Sequence, residues 1–154
     1  YTLAPCTPIG ILKLLELYKI DIKEKNIVIL GRSDIVGKPL SQLFLKENAT
    51  VTIAHSKTKN LKEKIKLSDI VVTAVGKANF LGVDDFSDNT TIIDVSINFN
   101  QFGKMCGDVS KEDYDALVND KNCNLTPVPN GVGQMTVIEL IEQTIEIQEK
   151  KEGK

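Results

Sequence analysis

Short apolar runs alternate along this chain with stretches in which apolar positions recur every three or four residues. Ile27-Val28-Ile29-Leu30 is the first run; Asp69-Ile70-Val71-Val72-Thr73-Ala74 and Thr91-Ile92-Ile93-Asp94-Val95 follow. Their length and β-branched content predict strands, the middle one buried on both faces. Thr50–Ala54 alternates as a further strand, and Asn124-Leu125-Thr126 is a short last one. Helical spacing falls between them. Thr7-Pro8 offers a hydroxyl cap and a proline at the first helical position, and Ile11, Leu12, Leu15 and Tyr18 then share a face. Residues 8–18 are therefore expected to be an amphipathic helix. Leu40, Leu43 and Phe44 predict a helix from Gly37-Lys38-Pro39 to about Asn48, Leu61 with Ile65 a short one, and residues 111–118 another. Val137, Leu140, Ile141 and Ile145 put an apolar stripe on a final helix whose polar end is Glu146–Lys154.

Strands alternating with helices imply parallel β-α-β units, hence an α/β fold: a doubly wound (Rossmann-like), mostly parallel sheet with flanking N- and C-terminal helices. A length of 154 residues, 42% of them hydrophobic and 26% charged, suits one globular domain, and no internal repeat divides it. The terminal helices stand outside the repeating pattern, and either cover this domain's own sheet or pack against a neighbour. A net charge of −2 with scattered basic residues argues against nucleic acid as a partner. No apolar run is long enough to cross a bilayer, so no membrane partner is expected, and no signal peptide is visible. Cys6, Cys106 and Cys123 are odd in number and form no Cys-x-x-Cys pair. That suits reduced thiols in the cytoplasm and suggests no metal site. Opening on Tyr1 rather than Met is compatible with a trimmed or excised chain.

Chemistry concentrates directly after the first apolar run, in Gly31-Arg32-Ser33-Asp34-Ile35-Val36-Gly37. Small residues between a strand and a helix let backbone N–H groups approach a ligand, and a helix N-terminus favours an anion. The pyrophosphate of a dinucleotide satisfies both, although Gly-x-Ser-x-x-x-Gly is looser than the usual fingerprint and a purely structural turn competes with it. NAD-preferring domains carry an acid roughly 20 residues past the turn, for the ribose 2′-hydroxyl. Here the second strand ends in Ala54-His55-Ser56-Lys57-Thr58-Lys59, with no acid. Arg32 in the turn offers fork-shaped donors suited to a 2′-phosphate, so NADP is expected over NAD. Lys57 and Lys59 read as solvated loop charges. His55 is the single histidine, but nothing completes a triad around it, so a contact to the adenosine side or plain loop structure is expected. Asp94 and Asp108 read as carboxylates that anchor loops.

Several segments then become specific together. Pro5-Cys6-Thr7-Pro8-Ile9-Gly10, the turn running into Gly37-Lys38-Pro39, and Asn48-Ala49-Thr50-Val51-Thr52 with His55-Ser56 come first. Thr126-Pro127-Val128-Pro129 and Gly131-Val132-Gly133 follow, and in this order the set closely resembles the bifunctional methylenetetrahydrofolate dehydrogenase/methenyltetrahydrofolate cyclohydrolase family. The resemblance implies a two-domain parent whose folate-binding half precedes an NADP-binding half, residues 1–154 being the latter. It implies oxidation of 5,10-methylenetetrahydrofolate and hydrolysis of the methenyl product to 10-formyltetrahydrofolate. By analogy Arg32 and Ser33 hold cofactor phosphate and Ser56 helps at the 2′-phosphate, while Gly31, Ile35, Val36 and His55 also belong to the cofactor site. Thr7 approaches the nicotinamide end, Gly76 and Ile97 line the dinucleotide, and the loop of Pro129, Gly131, Val132 and Gly133 lies against nicotinamide and pterin. A homodimer and a tetrahydrofolate derivative, reached through the other half, are the implied partners.

No catalytic residue is assigned within this chain. The family's Tyr-x-x-x-Lys pattern and pterin-binding aspartate belong upstream of Pro-Cys-Thr-Pro, so cofactor binding without turnover is expected. Local departures are Asn130 for glycine, Gln134 for proline and Ser96 for glycine; Asn130 tolerates the positive φ that the turn requires. A non-catalytic nucleotide-binding module acting with a separate partner is the alternative. The NADP domain of a shikimate dehydrogenase-like enzyme is a third reading, which leaves the proline motifs as coincidence. With the folate half missing, the stripes Ile11/Leu12/Leu15 and Val137/Leu140/Ile141/Ile145 are expected to lack cover, so that the chain self-associates or the terminal helices pair or swing away.

Overall fold

The computed structural model describes residues 4–153; Tyr1 and Lys154, which closes the expected polar helix end, lie outside them. Five parallel strands form the sheet: β1 (Asn26–Leu30), β2 (Thr50–Ala54), β3 (Ile70–Thr73), β4 (Thr91–Asp94) and β7 (Asn124–Leu125), in the order β2-β1-β3-β4-β7. Ile27 registers with Val51 on one side and Ile70 on the other, and Val71 with Ile92. The chain runs outward from β1 to β2, then returns across β1 to β3. Strand order therefore reverses between β1 and β3, and in open α/β sheets ligands bind at the carboxyl edge of such a switch point.

Side chains alternate across each strand, so the period of two divides the apolar runs between two cores. Ile27, Ile29, Ile70, Val72 and Ile93 meet Ile11 and Leu15 of α1 (Cys6–Leu17) and Leu40 and Phe44 of α2 (Gly37–Lys46). Val28, Leu30, Val71 and Ile92 face the other way, onto Ile65 of α3 (Leu61–Lys66), Phe86 and Leu117. Both faces of the sheet are covered, as a parallel sheet requires.

Three sequence expectations are corrected. Helix α1 begins at Cys6, not Pro8, and no side chain caps it; the Thr7 hydroxyl instead shares a 3.0 Å hydrogen bond with that of Thr136. Residues 111–118 form no α-helix but a tight turn at Lys111–Asp113 and a wide one at Ala116–Asp120. A hairpin, β5 (Asn98–Phe99) and β6 (Met105–Cys106), follows β4 where no strand was expected.

The terminal helices meet one expectation, that they pair, and correct another, that both stripes lack cover. The final helix, α4 (Val132–Lys151), packs along α1. A β-carbon on Gly10 would lie 3.1 Å from the Met135 backbone, so glycine lets the two helices approach closely. Lys13 meets the buried carboxylate of Glu139 at 2.6 Å and also pairs with Glu142. Hydrogen bonds that Lys13 donates to Glu139 and then Glu142 raise its pKa above the ordinary lysine range. Ile11 and Leu15 are thus interior, with Leu12 packed against them, whereas Val137, Leu140, Ile141 and Ile145 of α4 are 52–58% exposed. One stripe has its cover within this domain; the other does not.

Candidate functional site

The turn after β1 is shaped by two glycines. Gly31 has φ +124°, and a β-carbon there would lie 2.6 Å from the Ala74 carbonyl oxygen. One on Gly37 would lie 2.2 Å from the Gly31 carbonyl oxygen, so α2 starts against the turn itself. Val36 N–H donates to Ser33 Oγ at 3.1 Å and Lys38 N–H to the Ser33 carbonyl at 3.1 Å, closing the loop. The backbone amides of Arg32, Asp34 and Ile35 make no hydrogen bond among the described residues. Arg32, Ser33, Asp34 and Ile35 are exposed and Val36 is buried; among the described residues Arg32 pairs with no carboxylate, whereas Lys38 is engaged by Asp34 at 2.6 Å.

Beside it, the segment after β2 is a closed turn. His55 N–H donates to Thr58 Oγ1 at 2.8 Å, Thr58 N–H donates to the His55 carbonyl at 2.8 Å, and Lys57 N–H donates to His55 Nδ1 at 3.2 Å. With Nδ1 accepting, the neutral ring carries its proton on Nε2. His55 is half-buried and organises this loop; Ser56 and Lys57 are exposed beside it.

On the other side of the switch point, two buried carboxylates fix the loops. Asp108 is fully buried. Its Oδ2 accepts from the Thr73 hydroxyl (2.6 Å), the Ser96 hydroxyl (2.7 Å) and Val75 N–H (2.8 Å). Its Oδ1 accepts from Lys77 N–H (2.8 Å) and the Asn98 amide (3.1 Å). Burial alone would raise its pKa; the hydroxyls of Thr73 and Ser96 and the amides of Val75 and Lys77 outweigh burial and hold it below the usual carboxylate range. Asp94 accepts from Val109 N–H at 2.8 Å and Ser96 N–H at 3.2 Å. A β-carbon on Gly107 would sit 2.0 Å from Asp94 Oδ2, so only glycine fits there. Burial, helped by the charge of Asp108, pushes Asp94 up from 3.8 to about 6 against those amide donors.

These shifts have opposite signs. The folded state binds the Asp94 proton more tightly than the unfolded chain, so that contribution is fully present below pH 3.8 and is lost as pH rises through about 6. Asp108 contributes above the unfolded carboxylate range, and its share is lost as pH falls through its lowered value. Stability is therefore expected to fall by up to ~3 kcal/mol between about pH 4 and pH 6.5, opposite to ordinary acid denaturation. Urea unfolding across that range measures it, and Asp94→Asn should flatten the slope.

A cleft of about 160 Å³ lies where the loops after β4 and β7 meet α4, lined by Asp94, Ser96, Ile97, Met105 and residues 127–134. It brings together Ile97, Pro129, Gly131, Val132 and Gly133 of the expected site; Asn130 holds φ +73°, as its tolerance for positive φ allows. Gly76 joins them indirectly, its N–H donating to Ser96 Oγ at 3.1 Å. Thr7 reaches α4 through Thr136, in the first turns of that helix. The Gly31–Val36 turn, His55 and Ser56 occupy the other half of the same sheet edge, on the open surface rather than in this cleft. The expected bulk of Ser96 beside the ligand turns inward instead, onto Asp108. Sequence alone marks Asp108 as a loop anchor and does not reveal this hub. The available signal was a lone acid in the otherwise small and apolar stretch Cys106-Gly107-Asp108-Val109.

A parallel sheet with a glycine-shaped, amide-rich turn at its switch point defines a dinucleotide-binding α/β domain. Residues 5–152 match the family model described as tetrahydrofolate dehydrogenase/cyclohydrolase, NAD(P)-binding domain, and the chain belongs to that family. A bifunctional protein FolD of Latilactobacillus sakei is 51% identical over 149 residues, covering 97% of this chain and 51% of the relative. The crystal structure of the bifunctional FolD methylenetetrahydrofolate dehydrogenase/cyclohydrolase from Campylobacter jejuni superposes with TM-score 0.89 at 40% identity, over 96% of this chain and 51% of that one. The Trypanosoma brucei enzyme, complexed with NADP cofactor and inhibitor, gives TM-score 0.85 at 32% identity, over 97% and 52%. The chain spans about half the length of the curated relatives it matches. Among the described residues no cluster of His, Cys, Asp or Glu could hold a metal, and no helix is long and apolar enough to cross a membrane.

Proposed function

We propose that this chain is the NADP-binding half of a methylenetetrahydrofolate dehydrogenase/methenyltetrahydrofolate cyclohydrolase. One observation carries the reading: the exposed turn Arg32–Ile35 presents unengaged amides and an unpaired guanidinium beside a β2 end that has no acid. The amides and the α2 N-terminus receive the pyrophosphate; Arg32, with Ser56 alongside, receives the 2′-phosphate. Ile97 and the loop Pro129–Gly133 receive the nicotinamide end, where the pterin of the substrate abuts it. The bound cofactor supplies the hydride acceptor for oxidation of 5,10-methylenetetrahydrofolate, whose methenyl product water opens to 10-formyltetrahydrofolate.

The chain contains no Tyr-x-x-x-Lys pattern, so binding without turnover is the expected behaviour of these 154 residues. The apolar stripe on α4 favours a second form of the same reading, in which the module acts with a separately supplied folate-binding partner. That stripe also supports a homodimer, and the unpaired cysteines support a cytoplasmic setting. Calorimetric titration with NADP and NAD, then a dehydrogenase assay with and without a folate-binding domain, tests all of this. Arg32→Ala is expected to weaken NADP by about 1.5–3 kcal/mol, the worth of a hydrogen bond to a charged group, and to leave NAD nearly unchanged. Equal wild-type affinities for the two would overturn the NADP assignment.

A further inference from the structure

We infer that Asp108, acting through the Ser96 hydroxyl, is a positioning residue that presets the nicotinamide-side loops before cofactor arrives; this rests on the dinucleotide reading above. The donors to Asp108 follow a pattern. Residues 73, 75 and 77 approach it from the strand end and loop of β3, and residues 96 and 98 from the loop of β4. Alternate positions of both segments thus converge on one carboxylate, which sets the course of each loop and the spacing between them. Ser96 completes the latch. Its hydroxyl donates to Asp108 Oδ2 at 2.7 Å and accepts from Gly76 N–H at 3.1 Å, so Gly76 is held at φ +75° by a side chain from the neighbouring loop. Nothing lies within 4 Å of where a Gly76 β-carbon would be, so the glycine faces open space.

The latch acts on one half of the cofactor only. Pyrophosphate sits over the first crossover and the 2′ position near the end of β2, so the remainder of a dinucleotide extends towards β3 and β4. The Asp108–Ser96–Gly76 chain lies wholly on that second side; the turns at residues 31–37 and 55–58 share none of its hydrogen bonds. Loops already fixed in the bound geometry spare the cofactor the ordering cost.

The test uses Ser96→Ala, which removes the relay but leaves Asp108 and its other donors. Titration with NADP and with 2′,5′-ADP, which carries only the adenosine side, reads the two halves separately. NADP affinity is expected to fall about three- to tenfold, the usual weight of one intramolecular hydrogen bond, with 2′,5′-ADP affinity unchanged. Amide exchange at Gly76 should accelerate in the same variant. Equal loss for both ligands, or no loss for NADP, would overturn the proposal while leaving the dinucleotide reading intact. A wild-type chain that binds neither ligand would overturn the dinucleotide reading, and the latch's role with it.

Discussion

Asp108→Ala is expected to cost the fold about 3–5 kcal/mol, because it strips the acceptor from five donors at once. Hydrogen bonds to a charged acceptor contribute about 1.5–3 kcal/mol each, but the total is smaller than their sum because water reaches the more exposed donors once the carboxylate is gone. Val75 and Lys77 lie on an exposed loop and find such replacements; the Thr73 hydroxyl, fully buried, does not. Asp108→Asn should recover little, since its amide turns two N–H groups into a shell made entirely of donors. Urea unfolding reads the loss, together with a fall of roughly 10 °C in melting temperature for a domain of this size. A cost below ~1 kcal/mol would mean that the loops hold their course without the carboxylate.

That hub also marks how far the sequence could be read. β1, β3 and β4 were legible because central parallel strands, covered on both faces, are nearly continuous apolar runs. The turn at Gly31–Gly37 was legible because its requirement for glycine is local to one strand–helix junction. The hub was not, because its three side-chain donors come from two separate strand ends and its other two donors are backbone amides, which carry no residue-type signature. The β5–β6 hairpin has two-residue strands, too short for alternation to appear. Tyr114, Leu117 and Val118 keep helical spacing even though the backbone there coils tightly and then widely, so periodicity alone could not distinguish these turns from an α-helix.

The terminal helices show the same limit at longer range. Glu139 lies buried on the side of α4 that meets α1, and its ammonium partner, Lys13, comes from the opposite end of the chain. Nothing near either residue announces the pairing. The sequence leaves open whether the terminal helices cover this domain's own sheet or face a neighbour, and expects both stripes to lack cover if a second half is missing. The structure divides them: α1 belongs to the sheet, and α4 presents its stripe outward from the far side of α1.

Gly37→Ala is expected to be the second most damaging change, at about 3 kcal/mol, and to abolish NADP binding within the measurable range. The added carbon would meet the Gly31 carbonyl oxygen at 2.2 Å, its carbon at 2.8 Å and Arg32 Cα at 3.0 Å. All three are backbone atoms, so no rotamer can relieve the clash. Gly31 cannot give way either, since it is pressed against the Ala74 carbonyl and sits at φ +124°. Only α2 can move, and moving it opens the loop that Ser33 and Lys38 close, spreading the amides proposed to receive phosphate. Gly133→Ala is the matching control: nothing lies within 4 Å of its β-carbon, and in the first turn of α4 alanine should be neutral or stabilise by up to ~1 kcal/mol. Chemical denaturation of both variants, with NADP titration of the Gly37 variant in its folded range, separates packing at the turn from a general intolerance of larger residues. A Gly37 variant that folds and binds like wild type would show that helix and phosphate turn are not coupled through this contact.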